Sequence, residues 1–193
     1  MKKITAFTAV LLFILFGQNT HAQDSSTIRS GLLTAKLTLS PSHMYCDNQT
    51  YIYLHGAFEA YLSKKISVTG EVYYNVGEGN GNNTFDYNHS LFFGSSYHFT
   101  HLDNDLYVGI QPGISLTKIN AKANNIANAD FGVDPLVSAV VGYNYFAGSI
   151  FHFFLTSRYI LGDHHYNVHK SLSEIRLSAG LGFNINTGKR RTK

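Results

Sequence analysis

The stretch "GDHHYNVHKS", Gly162 to Ser171, holds several side chains that could do chemistry. His169 and Ser171 stand two apart, which puts an imidazole base and a hydroxyl nucleophile on one face of an extended strand. Glu174, the next carboxylate along the chain, has the opposite parity and is not placed to orient His169, so the pair lacks the partner that catalysis needs. His164, His165 and His169 together could ligate a transition metal. A His-rich tract is only a compositional hint, however, and no Cys or carboxylate geometry completes a site, so the plain reading is a surface loop and no metal or other cofactor is expected. "GEGNGN" has glycines at a spacing reminiscent of a nucleotide loop, but no helix follows it.

The elements that would position these residues are strands. In "SEIRLSAGLGFNI", Ile175, Leu177, Ala179, Leu181, Phe183 and Ile185 alternate with Glu174, Arg176, Ser178, Gly180, Gly182 and Asn184, a strict period of two. The pattern recurs along the chain in apolar sets that begin at Leu33, Ile52, Ile66, Leu91, Leu106, Val137 and Phe151, so with the quoted segment there are eight strands. Short links, "SKK", "THLDND" and "AGS", alternate with longer polar ones: "SPSHMYCDNQ", "GEGNGNNTFDYN", "KINAKANNIANADFGVD" and "GDHHYNVHKS". Antiparallel strands therefore gather all the short turns at one end and all the long loops at the other.

Composition says which face turns out. Charged residues make up 14% of the 193 residues, against about 25% in ordinary soluble domains. The faces opposite the apolar sets are mostly Ser, Thr, Gly, Asn, Gln and Tyr, a poor solvent-facing surface and a good filling for a narrow polar lumen. Lys2 and Lys3, the apolar run "ITAFTAVLLFILFG" and the small residues Thr20 and Ala22 read as a secretory signal over residues 1–22. A short segment, 23–30, then leads into the barrel, 31–186, and a basic tail follows at 187–193. Without Lys2 and Lys3, the 15 basic residues become 13 against 12 acidic, which gives no nucleic-acid-binding face. Cys46 is the single cysteine, so no disulfide forms within the chain. The sequons around Asn48, Asn83 and Asn88 would mean little if the producer is a Gram-negative bacterium.

These features predict an all-β fold, an eight-stranded antiparallel up-and-down transmembrane β-barrel with its apolar face toward lipid. The chain resembles the small outer-membrane barrels of the OmpA and OmpX type over essentially its whole mature length. Ser178, Gly180, Phe183 and Ile185 resemble the family's assembly signal, although the chain runs on as "NTGKRRTK" where family members commonly stop at an aromatic. The resemblance implies residence in the bacterial outer membrane, contact with lipid and lipopolysaccharide, recognition by the barrel-assembly machinery, a monomeric state, and loops available to an external partner. Some such barrels are lipid A deacylases with a His-x-Ser motif, the role that His169 and Ser171 would fill. The soluble alternative is a secreted lipocalin-like barrel with its apolar face inward.

Alternation points six charges into the lumen: Lys36, Glu59, Glu71, Arg158, Glu174 and Arg176. Since closure sets the eighth strand beside the first, all six are expected on one side, with Glu71 serving Lys36 and Glu174 serving both arginines. Buried charges are costly unless paired. A plug of salt bridges is the favoured reading, in a structural protein with adhesive or partner-binding loops; a narrow gated pore is the alternative.

Overall fold

In the computed structural model, residues 27–78, 84–127, 131–166 and 168–187 are described. The signal at 1–22, the tail from 188 on, and the core of the "GEGNGN" loop lie outside them.

Long alternating runs with few prolines favour strands, and the described residues form β1 (Leu32–Met44), β2 (Gln49–Tyr61), β3 (Ile66–Glu78), β4 (Phe85–His101), β5 (Asn104–Ile119), β6 (Phe131–Tyr145), β7 (Phe151–His164), the two-residue β8 (Lys170–Ser171) and β9 (Glu174–Asn186). Consecutive wall strands pair antiparallel, β7 pairs with β9, and β9 pairs with β1, for example Leu33 with Ile185 and Ala35 with Phe183. This closes an eight-membered ring in which β8 stands apart, paired only with the end of β7. Closure removes both sheet edges.

The apolar face turns outward. Leu37 is 67% exposed, Ile110 73% and Phe93 63%, whereas Arg158 and Arg176 inside the ring are each 1% exposed. This is the reverse of a lipocalin, and such a wall is stable against hydrocarbon rather than water. No helix among the described residues is long and apolar enough to cross a membrane, which says nothing against crossing by strands.

The strands outrun the sequence reading at the loop end. "SPSHM", expected in a long link, continues β1, with Pro41 opposite Ile52 and Met44 opposite Gln49, so the β1–β2 connection is only Tyr45–Asn48. Likewise β7 continues through Asp163 and His164. Beyond an apolar belt both strand faces can be polar, and the alternation that marks a strand disappears while its backbone ladder persists.

Two glycines make room for the filling of the lumen. Gly113 lies opposite Phe92 and Gly142 opposite Tyr107 on neighbouring strands. A Cβ on Gly113 would sit 2.4 Å from the Phe92 ring, and one on Gly142 would sit 2.2 Å from the Tyr107 ring. Each ring therefore lies flat over a residue that has no side chain.

Candidate functional site in the lumen

In a ring of eight, each strand faces the one four places away. Lys36 on β1, Arg158 on β7 and Arg176 on β9 all use that relationship. Arg158 donates from Nη2 to Glu71 Oε1 on β3 (2.5 Å), the strand directly opposite, and also to Gln111 Oε1 (2.9 Å), while its Nη1 donates to Ser138 (2.5 Å). Arg176 donates to Ser90 on the opposing β4 (2.6 Å), binds Glu174 on its own strand, and lies over the rings of Tyr53 (3.9 Å to the centroid) and Tyr73 (4.5 Å). Lys36 is 3.5 Å from Glu59 and lies over the ring of Tyr107 on the opposing β5, at 5.1 Å.

The structure thus brings together the six charges expected inside, with different partners and a different layout. Glu71 meets Arg158 rather than Lys36, Lys36 meets Glu59, and Glu174 meets Arg176 alone of the two arginines. They are not confined to one side: the Arg158–Glu71 pair spans the full width of the lumen. Burial in a low dielectric makes each charge depend on its partner, and hydrogen-bond acceptors beside the arginines, Ser138 and Gln111 at Arg158 and Ser90 at Arg176, take further N–H groups.

Several lumen residues were not singled out from the sequence. His55 lies 3.0 Å from Glu71 and stacks on Tyr73 at 4.2 Å. His98 is held between two acids, with Nδ1 2.9 Å from Asp105 and Nε2 3.3 Å from Glu59. Asp105 also accepts from Tyr61 (2.8 Å) and Asn144 (3.0 Å). The alternation that marks Leu54, Tyr97 and Leu106 as outward marks His55, His98 and Asp105 as inward, so the signal was present.

Ser67, His98 and Asp105 stand in the order nucleophile, base and orienting acid, with Ser67 Oγ 2.7 Å from His98 Nε2. The Ser67 hydroxyl nonetheless donates to Glu59 (2.6 Å), and all three side chains are buried. The arrangement works as an ion-bridging knot, since a nucleophile must meet a substrate.

Both ends of the lumen are apolar. At the short-turn end Ile28, from the segment that precedes the barrel, packs with Leu32, Tyr61 and Phe146; at the loop end Met44, Tyr51, Phe85 and Leu172 pack together, with Ile126 and Val168 against them. Between Lys36, His55, Glu59, Glu71, Tyr107 and Thr156 lies a void of about 10 Å³, room for one water.

The loop-end candidates separate. His164 turns into the lumen, where its Nδ1 is 2.9 Å from both Asp134 Oδ2 and Thr117 Oγ1. It cannot join His165 and His169, which stay exposed with Asp163. Ser171 Oγ accepts from the Ser173 N–H (3.2 Å), and among the described residues no hydrogen bond joins it to His169. In the assembly-signal segment Phe183 and Ile185 face outward, and Ser178 faces inward and donates to Ser40 (3.0 Å).

No family model and no curated protein sequence matches the chain. Solved structures do. The outer membrane protein OprG from Pseudomonas aeruginosa superposes with a TM-score of 0.62 at 9% identity, over 84% of this chain and all of that one (100%). The fold is that of the small outer-membrane β-barrels. Two other barrels of this type agree: Neisserial surface protein A (TM-score 0.57, 15% identity, 80% of this chain and 97% of that one) and Ail of Yersinia pestis (0.51, 11%, 81% and 99%). At such identities the likeness carries the outer-membrane barrel fold and no residue role.

Proposed function

We propose that this chain is a monomeric barrel of the bacterial outer membrane that acts as a closed structural and surface-contact protein. The observation that carries this reading is the set of three cations, Lys36, Arg158 and Arg176, each reaching the opposing wall of the lumen. Side chains that meet across an eight-stranded interior leave no continuous path for solute. The apolar wall lies against lipid and lipopolysaccharide, and the segment around Ser178, Gly180, Phe183 and Ile185 addresses the barrel-assembly machinery.

With the short turns in the periplasm, the loop end is the part that meets the outside, and external contacts belong there. One barrel of this fold, Ail, has been solved in complex with the heparin analogue sucrose octasulfate. The loop end here carries both signs of charge, with Lys170 3.6 Å from Asp47, and does not favour a polyanion. No nucleic-acid or enzymatic role is proposed.

Swelling of liposomes that contain the purified barrel, in an isotonic small sugar, tests the closed lumen. The proposal expects swelling at the rate of empty liposomes. Swelling that falls with sugar size would make the protein a sieve and end the proposal.

A further inference from the structure

We propose that Asp163, His165 and His169 form a binding site for a zinc-class divalent cation on the outer side of the loop end. The backbone sets up the cluster. Asp163 pairs with Ser171 and His164 with Lys170, so one step further in the same register His165 falls opposite His169. The two imidazole rings are 4.9 Å apart between centroids.

Alternation then places Asp163, two residues before His165, on the same side of β7. His164 between them points the other way, and its contacts with Asp134 and Thr117 fix the strand's facing at this point. One ligand atom from each of Asp163, His165 and His169 lies within 4.8 Å of the others, and all three residues are exposed. Lys170, the cation of the same hairpin, is 3.6 Å from Asp47 and so is engaged by another acid.

The donor set selects the ion. Two imidazole nitrogens and one carboxylate oxygen suit Zn²⁺, Ni²⁺ or Cu²⁺, whereas Mg²⁺ and Ca²⁺ require oxygen ligands. Donors at about 2.0–2.1 Å from a tetrahedral zinc lie about 3.3 Å apart, so side-chain rotations of these exposed residues complete the set without moving the ladder beneath. Three protein ligands leave a fourth position for water.

The test is calorimetric titration of the untagged barrel, folded in detergent, with zinc chloride and separately with magnesium chloride. Expected are one Zn²⁺ per chain, no magnesium binding, and affinity lowered at least about tenfold by His165→Gln, by His169→Gln and by Asp163→Asn. His101→Gln, an exposed histidine at the other end, should bind as the unaltered chain does. An unboiled-against-boiled gel shift identifies folded variants, and any one folded variant of the three suffices for the comparison. Absence of stoichiometric zinc binding, equal binding of magnesium, or unchanged affinity in any folded variant of the three overturns the site.

Discussion

Arg158 and Glu71 stand on β7 and β3, strands at opposite ends of a diameter of the ring, and their side chains meet at 2.5 Å. Each charge is buried and each has the other as its ionic partner across the lumen, so the pair ties two walls that no backbone hydrogen bond connects.

Removing one member leaves the other charged and buried. Glu71→Ala should therefore destabilise the barrel by about 3 kcal/mol, read as a lowered urea midpoint in detergent or lipid. His55, which also contacts Glu71, adds to the loss. The double exchange Glu71→Met, Arg158→Met should recover part of the stability because neither charge is then stranded. A double variant no more stable than Glu71→Ala would show that the pair is not the unit that matters.

Cys46 lies exposed in the β1–β2 turn at the loop end. With that end outside the cell, a membrane-impermeant maleimide should label Cys46 in intact cells. Labelling that appears only after the outer membrane is broken would invert the orientation.

His169 and Ser171 are not joined by a hydrogen bond among the described residues, and the structure places His169 with His165 and Asp163 instead. Lipid A from cells that carry the protein should give the same mass spectrum as lipid A from cells that lack it. A species lighter by one acyl chain, lost in Ser171→Ala, would restore the deacylase reading.

The wall was legible from the sequence because a strand's period of two is local: Leu37 and Leu39, or Phe151 and Phe153, declare their face without reference to any other strand. The same parity placed the six lumen charges inside. Partners were harder to read, because a pair such as Arg158 with Glu71 depends on ring position and on height along tilted strands, and neither quantity is written in one strand's pattern. Apolar periodicity also fades where a strand leaves the membrane belt. That is why "SPSHM" and "DH" read as loop, and why His164 was grouped with His165 although the parity of Tyr159 and Leu161 turns it inward.

Single-channel recording in a planar lipid bilayer tests the proposal of a closed lumen most directly. The unaltered barrel should give no steady conductance, only small flickering events, while Arg158→Ala, which empties the middle of the lumen, should raise the frequency and size of those events. A large, steady current through the unaltered protein, with an ion preference that changes in Glu71→Ala while the unfolding midpoint stays fixed, would contradict the account and identify a channel.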